Sequence, residues 1–70
     1  MRSFAAVMMD RMGELGIRPA ELSRRSGVTE QYLSKLRRGK VDDPTWTKAC
    51  AIIDALEMSR EEFAARQLEE

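Results

Sequence analysis

The stretch RRSGVTEQYLSKLRRGK, residues 24–40, gathers Arg24, Arg25, Lys35, Arg37, Arg38 and Lys40. Guanidinium and ammonium groups at this density suit a polyanion, because they replace the counterions around phosphates. Yet the 70-residue chain carries 12 Lys and Arg against 12 Asp and Glu, a formal charge of zero. The cancellation is uneven along the chain. Residues 1–40 hold nine cations and four carboxylates, a balance of +5, and residues 41–70 hold three and eight, a balance of −5. Such a split implies a basic face for a polyanion and an acidic face turned away from it.

Other chemistries are poorly supplied. There is no His, so the common general base near neutral pH and any Ser-His arrangement are missing. Cys50 is the only cysteine, which rules out an intramolecular disulfide and a zinc set of the usual kind. No Gly-rich phosphate loop occurs. The Glu61/Glu62 pair falls near the C-terminus, where no cleft is expected. The chain is therefore expected to be no enzyme and to use no cofactor or metal.

No apolar run approaches the roughly 18 residues that span a membrane. Asp10 and Arg11 interrupt the short apolar start MRSFAAVMMD, which argues against a secretory signal. A cytoplasmic protein with one domain over residues 1–70 is the expectation. A chain of this length buries only about 60% of its unfolded surface, so its core is thin.

The elements that must position the cations read as helices, because strand alternation appears nowhere over a useful length. Helix 1 is expected from about Ser3 to Leu15, with Phe4, Met8, Met12 and Leu15 on one face and Val7 and Arg11 flanking. Gly16 ends it. Helix 2 starts near Pro19, a residue suited to the first turn, and runs to about Ser26 with Leu22 inward. Gly27 lets the chain turn. Helix 3 begins after the capping residue Thr29, buries Leu33 and Leu36, and ends at Gly39. Asp43 or Thr45 caps helix 4, whose expected apolar face is Trp46, Ala49, Cys50, Ile53 and Leu56. Ser59-Arg-Glu-Glu62 has capping-box spacing and opens a last helix around Phe63. One core of Leu22, Val28, Leu33, Leu36, Trp46, Ile53, Leu56 and Phe63 follows. Met58, Ala65 and Leu68 are apolar residues this core does not need, so they mark the expected contact between copies.

Two short helices joined through Gly27 make a helix-turn-helix candidate. Ser23 supplies the small residue where helices 2 and 3 cross, and Leu22, Val28, Leu33 and Leu36 fill the positions that hold helix 3 down. On Gly16, AELSRRSGVTEQYLSKLRRGK, Pro44 and the Leu56–Met58–Ser59 stretch before Phe63, the chain resembles the Cro/cI-type (XRE-like) helix-turn-helix regulators. The resemblance runs from roughly Met8 to Phe63. It implies an all-α, five-helix lambda-repressor-like domain with helix 3 in the major groove of double-stranded DNA.

On that resemblance Glu30, Gln31, Ser34 and Lys35 match base-reading positions. Gln suits adenine, Lys suits guanine and Glu suits the cytosine amino group, while Ser serves either role. Thr29, Tyr32, Arg37, Arg38 and Lys40 match positions near the DNA backbone, and Arg18 is assigned there as well. The function implied is a sequence-specific transcriptional regulator, a repressor, bound as a homodimer. The alternative is an antitoxin-like or adaptor module that holds a basic protein partner with its acidic half.

Three departures stand out. Pro19 occupies the place where many members carry a phosphate-binding Gln. Asp42 and Asp43 make the loop before Pro44 acidic. Glu57 replaces the usual glycine after helix 4, which predicts a looser cap.

Overall fold

A computed structural model describes residues 1–69. Among them the chain forms five helices and no strand: α1 (Phe4–Leu15), α2 (Pro19–Ser26), α3 (Glu30–Arg37), α4 (Trp46–Ala55) and α5 (Arg60–Leu68). No helix is long and apolar enough to cross a membrane.

Local chemistry sets the boundaries. The Ser3 hydroxyl accepts the Ala6 N–H at 3.1 Å and starts α1. Pro19 takes the first position of α2, where a missing N–H costs nothing. Thr29 starts α3 by accepting the Tyr32 N–H at 3.2 Å. Thr45, not Asp43, caps α4, accepting the Lys48 N–H at 3.4 Å. Ser59 and Glu62 form the full reciprocal capping box of α5, each bond 3.0 Å long. The Ser59 groups also hold the Glu62 carboxyl below the usual carboxylate range.

Gly27 closes α2 at φ +77°, a left-handed conformation, with its N–H 2.8 Å from the Ser23 carbonyl. Open space surrounds its missing Cβ, so the need for glycine is conformational and not steric. After α4 the same job falls to Glu57, the one described non-glycine residue with positive φ (61°). A side chain there costs roughly 1–2 kcal/mol. Arg11 supports this strained end from α1. Its Nε donates to the Leu56 carbonyl at 2.9 Å and a terminal N–H reaches the Glu57 carbonyl at 3.4 Å.

The two turns should therefore respond oppositely to substitution. Gly27→Ala should cost about 1–2 kcal/mol in urea unfolding. Glu57→Gly should leave stability unchanged or raise it by up to ~1 kcal/mol. Relief of strain is offset there by glycine's freedom in the unfolded chain and by loss of the exposed ion pair between Glu57 and Arg25, 3.2 Å apart. A clear drop for Glu57→Gly would contradict this view of the α4 terminus.

The core runs through all five helices. It contains Phe4, Val7, Met8 and Met12 of α1, Leu22 of α2, Val28 of the turn, and Leu33 and Leu36 of α3. Ile52, Ile53 and Ala55 of α4, Leu56 and Met58 after it, and Phe63 of α5 complete it. The Phe4 and Phe63 rings meet at 4.6 Å between centroids, tilted by 39°.

Two expectations are corrected, and one core residue lies outside the expected stripe. Trp46 is 73% exposed and outside the core. It is the first residue of α4, and helical side chains lean toward the N-terminus, so its ring overshoots the packed region. The Arg60 guanidinium lies over that ring, 5.5 Å from its centroid. Ile52, absent from the expected stripe, is fully buried instead. Met58, expected to be spare surface, is 7% exposed and part of the core. The left-handed step at Glu57 turns the chain so that Met58 packs back inward.

Candidate nucleic-acid interface

α3 packs against α1 and α2, and α2 against α4, so α3 is clamped along one side. At about 100° per residue, Leu33 and Leu36 define its inner side. Gln31, Ser34 and Lys35 then point the opposite way. Glu30 and Arg37 fall on one flank and Tyr32 on the other. The accessibilities agree: Glu30, Gln31, Lys35 and Arg37 are exposed, and Ser34 and Tyr32 are half-buried. The four candidate base readers are thus brought onto one helix, with one surface free of the core.

The other candidates surround this surface unevenly. Arg38 caps the C-terminal end of α3, and Lys40 follows the left-handed Gly39; both are exposed. Thr29 is exposed at the N-terminal end. Its hydroxyl oxygen is occupied by the Tyr32 N–H, which leaves its own proton free to donate outward. Arg18 stands apart, at the N-terminus of α2, where it lines a shallow depression with Ala20, Glu21, Arg24 and Arg25. Asp42 and Asp43 are exposed in the following loop.

Ion pairing separates the cations into two sets. Arg24 pairs with Glu21, and Arg25 spans Glu21 at 2.9 Å and Glu57 at 3.2 Å. Hydrogen bonds from Arg24, then Arg25, hold the Glu21 carboxyl below the usual carboxylate range. Arg2 pairs with Asp10, and Glu14 bridges Arg66 at 2.7 Å and Arg11 at 3.1 Å, tying α1 to α5. In contrast, Lys35, Arg37, Arg38 and Lys40 have no carboxylate partner among the described residues. Nor has Arg18, Lys48 or Arg60. The Arg24–Arg25 part of the basic stretch is neutralised locally, while its second half keeps its charge.

One residue of this surface escaped sequence reasoning. Lys48, on α4, lies with its ammonium 4.1 Å from the Tyr32 ring centroid. No sequence spacing signals it, since only the packed fold brings α4 beside α3.

Searches among curated proteins and among solved structures returned no match. The model for the Cro/C1-type HTH DNA-binding domain matches residues 8–68, which spans the α2–turn–α3 unit and the helices that hold it. The chain belongs to the family of Cro/C1-type HTH DNA-binding domains.

Proposed function

We propose that this chain is a sequence-specific, double-stranded DNA-binding transcriptional regulator that acts as a repressor and reads the major groove with α3. Residues 1–70 act as one DNA-binding domain. Glu30, Gln31, Ser34 and Lys35 contact base edges. Arg18, Thr29, Arg37, Arg38 and Lys40 contact the backbone and set the register, with Tyr32 beside that row on the flank of α3. The observation that carries this is the run of four cations on and just after α3, Lys35, Arg37, Arg38 and Lys40, none with a carboxylate partner among the described residues, against the paired Arg2, Arg11, Arg24, Arg25 and Arg66. Unpaired cations meet phosphates without first breaking an ion pair. A gel-shift titration with purified protein and duplex DNA tests it. Binding without any partner protein, weakened steeply by salt, is the expected result.

The unit on DNA is a homodimer. A single α3 covers only a few base pairs, whereas two copies read half-sites about 34 Å apart. With Met58 buried, Ala65 and Leu68, the latter 71% exposed, remain for the contact, and Trp46 is a further exposed apolar side chain. Trp46 borders a groove of about 320 Å³ lined by Phe4, Ala49, Ile53, Arg60 and Phe63. Light scattering of the saturated complex should give two chains per duplex. One chain per duplex would contradict the dimer.

The exposed carboxylates of the second half, Asp42, Asp43, Asp54 and Glu61, favour one alternative, an antitoxin-like or adaptor module that holds a basic protein partner. Retention of a basic protein with no shift of duplex DNA would select that alternative.

A further inference from the structure

The Lys48 ammonium and the Tyr32 ring meet face-on at 4.1 Å, joining α4 to α3. Both residues line a cleft of about 290 Å³ between the helix-turn-helix and α4. Ser26, Thr29, Tyr32, Thr47 and Lys48 supply its polar side chains, and no carboxylate is among its lining residues. The Ser26 hydroxyl oxygen accepts the Val28 N–H at 3.1 Å, as Thr29 accepts the Tyr32 N–H. Each hydroxyl therefore has its own proton left to donate. The cleft offers hydroxyl donors and an ammonium, a set suited to an anionic oxygen.

An exposed Lys is ordinarily a loosely held point charge on a flexible stem. Here the ring face attracts and restrains it. Tyr32 is half-buried and fixed on the flank of α3, so it makes a stable platform. Lys48 has no carboxylate partner among the described residues, so its charge remains available.

We infer that Tyr32 is a positioning residue whose ring holds Lys48 over this cleft, where the ammonium takes one backbone phosphate of the bound DNA. The inference rests on the proposed DNA binding. It makes the ring of Tyr32, and not its hydroxyl, the working part. It also extends the phosphate row from α3 onto α4. A phosphate held by a second helix limits how α3 can rock in the groove, which is how backbone contacts fix register.

The test uses the full chain and four variants: Lys48→Ala, Tyr32→Phe, Tyr32→Leu, and Lys48→Ala with Tyr32→Leu. Affinity for a random-sequence duplex is measured from 50 to 200 mM salt, with thermal unfolding followed in parallel. Lys48→Ala should weaken binding roughly 5- to 10-fold near 0.1 M salt and make the log–log salt slope shallower by about 0.9 per protomer. Tyr32→Phe keeps the ring and should stay within about twofold of the parent chain, whereas Tyr32→Leu should lose on the order of 2- to 5-fold. In the Lys48→Ala background, Tyr32→Leu should cost no further affinity. A purely structural role for Tyr32 would lower the melting temperature of Tyr32→Leu and add its full loss to that of Lys48→Ala, and this additivity would overturn the inference. An unchanged salt slope in Lys48→Ala would do so too, without relying on any Tyr32 variant. Equal losses in Tyr32→Phe and Tyr32→Leu would place the hydroxyl, and not the ring, at the phosphate, and would overturn it as well. A parent chain that binds no duplex would overturn the DNA-binding proposal and this inference together. A parent chain that binds while Lys48→Ala behaves identically would overturn the inference alone.

Discussion

Phe63→Ala should cost about 3–5 kcal/mol and bring the chain close to unfolding at room temperature. Phe63 is 2% exposed and is the only described buried residue of α5. Its ring packs on Phe4, 4.6 Å away, and so joins α5 to α1. At roughly 0.05–0.15 kcal/mol per residue, a chain of this length holds only about 4–10 kcal/mol in all. One emptied ring site therefore removes a large part of the total. Trp46→Ala deletes an even larger side chain but should cost less than about 1 kcal/mol, because that ring is mostly in water. Urea unfolding followed by far-UV circular dichroism checks both variants. A larger loss for Trp46→Ala than for Phe63→Ala would contradict the packing.

Lys35→Ala should cost roughly 1–3 kcal/mol on the preferred site and relax discrimination at one base-pair position per half-site. Lys35 lies opposite Leu33 and Leu36 on a helix clamped by α1 and α2, so its direction is set by the core. Gln31 stands one turn before it on the same outward face. Arg38, at the end of α3, also lacks a carboxylate partner among the described residues. Arg38→Ala should weaken all sequences similarly and make the salt slope shallower by about one unit for each phosphate the guanidinium no longer holds. The contrast between the variants is decisive, since removal of charge alone weakens binding to any duplex. Equal weakening of specific and random duplexes by both substitutions would remove α3 as the reader and leave only general electrostatic attraction.

Much of this architecture is legible in the residues, for physical reasons. Capping is a local reaction between a side chain and a backbone N–H three residues on. Ser3, Thr29 and Ser59 therefore announce the starts of α1, α3 and α5. Gly16 and Gly27 announce the ends of α1 and α2 because few other residues accept a left-handed backbone. The buried pair Leu33 and Leu36 follows from helical period, and the outward direction of Gln31 and Lys35 follows from that pair.

What periodicity could not supply is position relative to the rest of the fold. An apolar stripe places Trp46 on the correct side of α4, yet not within reach of the core, because α4 begins there. Met58 follows the helix and so lies outside its apolar period, and only the left-handed Glu57 sends it inward. The pairing of Arg24 and Arg25 with Glu21 was open to a spacing argument, as the residues are three and four apart on one helix. Lys48 was not, since it reaches Tyr32 through tertiary packing alone.

In the proposed function α3 reads sequence while the unpaired cations around it hold phosphates. The most direct measurement selects genomic fragments with the purified chain, then compares the selected duplex with a random one across 50–200 mM salt. A specific-over-random ratio of at least about 10³ is predicted. The accompanying log–log salt slope for the bound dimer should lie between roughly −4 and −9, as several phosphates held per protomer require. Equal affinity for both duplexes, or a slope near zero, would contradict it.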